Sequence, residues 1–407
     1  VRATATRNPP IPAKSLLRRS SASLGCLAVG ALVLSGCSGG GRAAQHHPTT
    51  TRPPATTTTQ PPATTTTVAG CVPPPAQWAD SRLAEQLVMV IGQFTALPSL
   101  VPEAATGVGG FALLGAPSAS QGEAVTSGIV ALVATAKAHG QAEPLMATTT
   151  EGGPVSRLAN ILGAIPSARQ MAATMSATQV ESLMATRGAA LRGLGITMDL
   201  APVLDIATAT DPVADEGQRS FSATPHVAAA YGTAFALGLK KDGVLAVGKH
   251  FPGLGHASAD TDTGPATDPP LATLEAHDLI PFEQAVSAGI PAVMVGHAVV
   301  PNLTGGLPAS LSPATYRLLR NTLHFQGVVM TDSLVARAIT SAGYTEASAA
   351  VTAIESGADL ALVYSGTWHA AVSAIESALS SGALPAAQAQ ASVTRILAAK
   401  GATICGG

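Results

Sequence analysis

The sequence predicts an α/β fold, a (β/α)8 TIM barrel forming a single catalytic-type domain behind a disordered tether. Eight short apolar runs alternate with longer, Ala-rich, helix-compatible stretches over residues 71–407. No second linker or short repeat interrupts them. Polar residues gather just after the runs, where a barrel opens its C-terminal mouth. A doubly wound open sheet also alternates strands and helices, but eight units in about 340 residues fit a closed barrel better.

The chain begins with basic residues, Arg2, Arg7, Lys14, Arg18 and Arg19, followed by an uncharged stretch from Leu24 to Leu34. That stretch is too short to span a bilayer. The pair reads as an export signal over residues 1–36. It ends in Leu34-Ser35-Gly36-Cys37, which resembles the bacterial lipobox. Cys37 is therefore the expected lipidation site, and the protein is expected outside the cytoplasm as a cell-membrane lipoprotein held by acyl chains. Residues 37–70 form a linker. Eleven of the nineteen residues from Thr49 to Thr67 are Thr, interrupted by two Pro pairs. Such a segment has little to bury and favours extended conformers. Thr/Pro stretches are also candidate O-glycosylation sites on composition alone.

Removing residues 1–36 discards Cys26 and, with Cys37 lipidated, leaves Cys71 and Cys405 as an even pair. We expect a disulfide between the start and end of the domain; two separate buried thiols are the other reading. The predicted strands are 87–91, 109–114, 144–148, 196–201, 243–247, 291–295, 327–331 and 359–363. The first is ambiguous, because residues 83–94 read equally as helix.

Composition removes several functions. Lys+Arg total 22 against Asp+Glu 24, so no broad electrostatic footprint for nucleic acid exists. Four cysteines in 407 residues exclude a cysteine-dense scaffold. A single apolar run excludes a multi-span membrane protein. The histidines are scattered and form no metal constellation; His46 and His47 lie in the linker. No phosphate-cradling glycine motif and no serine-hydrolase elbow occurs.

The densest chemical signal is Lys249-His250-Phe251-Pro252-Gly253-Leu254-Gly255. A strand ends in Lys and His, and Pro and Gly then force a turn. The following mobile loop carries His256, Asp260, Thr261 and Asp262. Further along, Val328 to Thr331 run into Asp332. A lone Asp there caps the next helix or serves as a nucleophile. With Lys249, His250 and Arg219 nearby, it would stay ionised. Glu151-Gly152-Gly153, Asp199, Asp205, Arg219 and His297 also follow or end predicted strands.

Taken in order, Glu151-Gly152-Gly153 with Arg157-Leu158, Met198 to Asp205, Arg219-Ser220-Phe221, Lys249 to Gly255, Pro308 to Ser312 and Thr331-Asp332-Ser333-Leu334 resemble glycoside hydrolase family 3, single-domain β-N-acetylhexosaminidase type. The resemblance runs from about residue 83 to Lys400. It implies a barrel and a retaining mechanism, with Asp332 at the nucleophile position and Arg157, Arg219, Lys249 and His250 on the terminal sugar. It implies no cofactor. The substrate class would be β-linked N-acetylglucosamine in cell-wall glycan fragments or small glycosides. The linker suggests that a monomer suffices.

The sequence also departs from that family. Its mobile loop carries Asp-Ser-His, the His being the acid/base. Here the loop reads Asp260-Thr261-Asp262, with Asp262 at the His position. His256 lies six residues too early to be assumed a substitute. The family's sugar-binding Asp is Thr149, Pro154 stands where Arg is usual, and Leu254 replaces a common His. Two readings follow. Asp260 and Asp262, two apart, share a proton and supply an acid; or the protein is a catalytically weakened or inactive glycan-binding lipoprotein. Aromatics make up 3%, which favours a small exo-acting pocket over a polymer cleft. Trp368, after the last strand, either stacks on a sugar or packs in the core.

Overall fold

Apolar runs without alternation bury both faces, as parallel barrel strands require. The computed structural model describes residues 71–208 and 218–405. The expected signal peptide, Cys37 and the linker lie outside the described residues. Eight parallel strands close a barrel: β1 (Val88–Gln93), β2 (Gly110–Leu114), β3 (Leu145–Thr148), β4 (Met198–Asp199), β5 (Leu245–Phe251), β6 (Ala292–Val295), β7 (Val328–Ser333) and β8 (Leu360–Tyr364). Each pairs with its sequence neighbours, and β1 closes on β8 with Val88 opposite Ala361.

Every predicted strand is present, with shifted ends. Residues 83–94 hold two elements: a helix, Asp80–Gln86, and then β1. β4 is shorter than predicted. β5 runs on to Phe251, because Lys249 N–H donates to Pro202 O at 3.1 Å and Leu204 N–H to Lys249 O at 2.6 Å. Lys249 and His250 therefore stand within the strand. Asp332 likewise belongs to β7.

The main outer helices are α1 (Gly122–Ala138), α2 (Ala177–Gly193), α3 (Pro225–Lys241), α4 (Ile280–Ser287), α5 (Glu346–Ser356), α6 (Trp368–Ser381) and α7 (Ala386–Ala399). Local sequence sets their ends. Ser176 and Thr345 cap α2 and α5 through reciprocal capping boxes. Pro opens α3 in its first turn, and Gly382 ends α6 at φ 78°. The α2–α3 contact depends on small residues: a Cβ on Gly238 would stand 2.4 Å from the Glu181 carbonyl. Inside the helix layer, Phe251 and Phe282 meet edge to face at 5.3 Å.

The N-terminal end of the barrel is held by polar chemistry. Asp359, fully buried, accepts from Arg320 at 2.7 Å, from Arg395 at 2.8 Å and from the Val329 N–H at 2.8 Å. Arg320 also donates to the carbonyls of Phe325 and Gly327. Cys71 and Cys405 form a disulfide, flanked by hydrogen bonds from Val72 N–H to Thr403 O and from Cys405 N–H to Val72 O. Asp359→Ala would strand two arginines at the base of β7 and β8. We expect it to lower unfolding free energy by about 3 kcal/mol, read by urea denaturation.

Candidate active site

The C-terminal mouth contains a cavity of about 390 Å3. It gathers Thr149, Glu151, Arg157, Arg219, Lys249, His250, Leu254, Asp260, Asp262 and Asp332, which come from strand ends and loops far apart in sequence. His256 is not among the lining residues; its Nδ1 pairs with buried Asp278 at 2.8 Å.

Glu151 organises one wall. It lies on a short hairpin, Thr150–Gly152 against Val155–Ser156. Gly152 and Gly153 turn that hairpin at φ 96° and 55°, and a Cβ on Gly152 would meet the Pro166 carbonyl at 2.2 Å. Asp199, at the end of β4, fixes the hairpin by accepting from the Thr150 N–H at 2.9 Å and from its hydroxyl. Burial, helped by Glu151, lifts Asp199 to about 6 despite the Thr150 hydrogen bonds. Glu151 itself is buried and takes a two-pronged bond from Arg219 at 2.8 and 2.9 Å, and Lys249 Nζ at 2.7 Å. Burial would raise its pKa, but Lys249 and Arg219 outweigh it and bring the carboxyl down to about 2. The array turns two cations towards the cavity with their positions fixed. Arg157, exposed on the rim, makes no side-chain ion pair with the described residues.

A second buried carboxylate, Asp205, sets His250. It accepts from His250 N–H at 2.9 Å, from Leu254 N–H at 2.8 Å and from His250 Nδ1 at 2.7 Å. Burial opposes ionisation of Asp205, but His250 and the two N–H groups prevail and lower its pKa. An ionised Asp205 requires Nδ1–H as donor, which turns Nε2 towards Asp332, 3.9 Å from Oδ2. A Cβ on Gly255 would sit 1.9 Å from the Ile206 carbonyl, so only glycine lets this turn pass.

Asp332 is half-buried at the end of β7, and its Oδ1 accepts from Ser333 N–H at 2.7 Å. Burial alone would raise its pKa; His250, His297, the Ser333 N–H and Lys249 together lower it. His297 secures this corner. Its Nε2–H donates to the Ser333 carbonyl at 2.9 Å, and its Nδ1 accepts from the Ser310 hydroxyl at 2.7 Å. Burial lowers the His297 pKa, with Asp332 and the Ser333 hydrogen bond opposing.

The Asp260-Thr261-Asp262 loop closes the rim and is fastened to the segment after β7. Ala338 N–H donates to Thr261 O at 3.0 Å, and Arg337 N–H to Asp262 O at 3.2 Å. Asp260 accepts from the Asp262 N–H at 2.9 Å, so its carboxylate is engaged in the turn. The Asp262 residue is open to solvent outside while its side chain lines the cavity. Partial burial first, then Asp332 and then Asp260, raise its pKa. The nucleophile candidate thus acts on Asp262 more strongly than its loop neighbour does, which sequence spacing does not reveal.

The remaining wall is apolar: Ile91, Leu114, Leu200, Met294, Val335 and Leu362. No Phe, Tyr or Trp is among the lining residues. Trp368 packs in the core at 4% exposure and stacks on His369, away from the cavity, so the core reading holds.

Glu151 links the site to acid stability. Its folded pKa lies below the ordinary 4.5, so its contribution is full above pH ~4.5 and is lost as pH falls towards about 2. The shift corresponds to roughly 3 kcal/mol. Glu151→Gln should flatten that acid limb in pH-dependent thermal unfolding and should lower stability at pH 7, because Lys249 then lies buried without its partner.

Residues 85–399 match the family described as glycosyl hydrolase family 3 N terminal domain. The chain is 42% identical over 258 residues to beta-hexosaminidase LpqI of Mycobacterium tuberculosis, covering 62% of this chain and 66% of that protein. The match therefore spans just under two thirds of that relative's length. A solved Mycobacterium smegmatis glycosyl hydrolase of the GH3 family superposes with a TM-score of 0.74 at 39% identity, covering 81% of this chain and 99% of that one. A Beutenbergia cavernae β-N-acetylhexosaminidase superposes with a TM-score of 0.73 at 30% identity, covering 80% and 99%. A barrel whose mouth joins Glu151, Arg219, Lys249, His250 and Asp332, matched to one family over most of its described length, belongs to glycoside hydrolase family 3.

Proposed function

We propose that the protein is a retaining exo-glycosidase that removes terminal β-linked N-acetylglucosamine, or a related β-sugar, from cell-wall glycan fragments or small glycosides. The observation that carries this reading is Asp332: a half-buried carboxylate held ionised by His250 and His297, in a cavity of about 390 Å3 that faces the Glu151–Lys249–Arg219 array. That volume suits one sugar ring rather than a polymer, and its edge lacks aromatic platforms. The beta-hexosaminidase name of the mycobacterial relative supports the sugar class.

The sugar binds with Lys249, Arg219, Arg157 and His250 on its hydroxyls. Asp332 attacks the anomeric carbon while Asp262 gives its proton to the leaving oxygen, and a glycosyl-enzyme forms. Asp262, now ionised, takes a proton from water as that water attacks the same carbon, and Asp332 is released. A raised pKa on the acid and a lowered one on the nucleophile suit these two roles. Asp205 acts through His250 as a positioning residue. The domain works outside the cytoplasm, anchored through Cys37, and functions as a monomer. A fungal relative named as a secreted glycosyl hydrolase supports the location.

A second reading has its own observation. Asp262 replaces the family's acid/base His, and Thr149 lines the cavity where a sugar-binding Asp is usual. The protein would then bind a terminal sugar and turn it over slowly.

Hydrolysis of p-nitrophenyl N-acetyl-β-glucosaminide and the matching β-glucoside by residues 71–407 separates these readings. Loss of activity in Asp332→Asn supports the proposal; a folded wild type inert on both supports binding alone. Asp262→Asn should lose about 10²–10⁴ on unactivated disaccharides and less on aryl glycosides, whose leaving group needs no acid although water attack still lacks its base. Equal rates on disaccharides would remove Asp262 from the mechanism. Because Asp332 must be ionised and Asp262 protonated, kcat/KM should fall as pH drops through the lowered Asp332 pKa and as it rises through the raised Asp262 pKa. Asp262→Asn should abolish only the alkaline limb.

A further inference from the structure

The loop that carries Asp260 and Asp262 is fastened to the barrel at its start, its return and its tip. It leaves β5 at Gly253, whose φ of 130° brings the chain down onto Asp278; a Cβ there would stand 2.7 Å from the Asp278 Cβ. Three residues on, His256 Nδ1–H donates to Asp278 Oδ1 at 2.8 Å. Asp278 is 1% exposed and lies just before α4, whose Phe282 packs against Phe251 of β5. Its other oxygen, Oδ2, is buried without a hydrogen-bond partner among the described residues, so the His256 bond is what satisfies this carboxyl. The returning arm is tied to Val299, which donates to Ala266 O and accepts from Asp268 N–H, both at 2.9 Å. Ser258 joins the two arms: its N–H donates to Thr267 O and its Oγ accepts from Thr267 N–H, again at 2.9 Å. Leu254 and Ala266, one from each arm, pack with Ala298. The tip is docked after β7 by the Arg337 and Ala338 N–H groups.

We propose that His256 and Asp278 are positioning residues for the acid: their bond anchors the front arm of the loop, keeps its tip docked and so holds Asp262 in the catalytic mouth with Asp332. This inference rests on the reading of Asp262 as the acid. Neither His256 nor Asp278 lines the cavity, so both act through the loop and not on the sugar. Six residues separate His256 from Asp262, a length of chain that reaches about 20 Å when extended and does not by itself fix a side chain. An acid must lie within hydrogen-bond reach of the leaving oxygen, and a misplacement of about 1 Å can cost about 10²-fold in rate. The tip bonds are backbone contacts at an exposed rim, where water competes for the same groups. The His256 bond ends on a buried carboxyl, and breaking it leaves that group unsatisfied. The buried end is therefore the firmer hold, and the tip depends on it.

Aryl N-acetyl-β-glucosaminides with leaving groups of different acidity test it. In a two-step reaction kcat/KM reports the first step, where p-nitrophenolate leaves without a proton and the more basic phenolate needs one. His256→Phe should fall less than about threefold on the p-nitrophenyl substrate and at least about tenfold on the phenyl one. A loss of folded protein alone lowers both equally. Asp278→Ala should show the same pattern. The double variant leaves no buried carboxyl without its donor and should lose no more than either single one. Hydrogen exchange reads the docking without turnover. Arg337 and Ala338 open the short helix Arg337–Ser341, so their N–H groups have no partner within it and are protected by the loop tip. Both should exchange at least about tenfold faster in the variants, while the barrel strands keep their protection. Unaltered exchange at these two amides, or equal losses on the two glycosides, overturns the proposal. A wild type inert on both, or Asp262→Asn that spares the phenyl glycoside, removes the acid reading and this inference with it. Asp262→Asn that loses the phenyl glycoside while His256→Phe keeps it overturns this inference alone.

Discussion

Glu151 is a carboxylate buried against two cations, and the catalytic mouth depends on that contact. Taken alone, burying the charge is unfavourable, and burying Lys249 equally so. Together with Arg219 they neutralise one another in a fixed geometry. The hairpin that delivers Glu151 depends in turn on Asp199, and β5 delivers Lys249 only because pairing with residues 202–204 continues past the predicted strand end. The site is thus a chain of carboxylates, each holding the donor that the next step needs.

Charge is divided unequally along the barrel axis. At the mouth, Glu151 and Asp205 each lie against their own basic partners, and Asp332 faces His250. Asp262 has no such basic partner, and partial burial, Asp332 and Asp260 raise its pKa. At the base, Asp359 satisfies Arg320 and Arg395.

Much of the fold was legible because buried parallel strands leave apolar runs with no alternation, and all eight strands were found this way. Residues 83–94 were ambiguous because a helix and a strand abut there with no turn residue between them. The strand ends were misread at Lys249 and Asp332 because polar residues at a barrel mouth continue the ladder, and composition cannot show pairing. The clustering of Arg219, Lys249, His250 and Asp332 followed from their recurrence after strands, whereas Arg157 came only from the family resemblance. The service of Asp199 to Thr150, across 49 residues, carries no local signal. Nor does the pressure of Asp332 on Asp262, which depends on a loop fastened to residues 337–338 after β7. Trp368 was undecidable from sequence because a helix's first residue can face inward or outward.

The bond between Cys71 and Cys405 makes the described domain a covalent ring. Opening a ring at one point yields a line, not two pieces. A protease that cuts the exposed turn at Gly305–Gly306 would leave both halves of the barrel on one molecule. The strands on either side of the cut would then stay at high effective concentration and could close again. That topology makes a nick an injury the fold can survive.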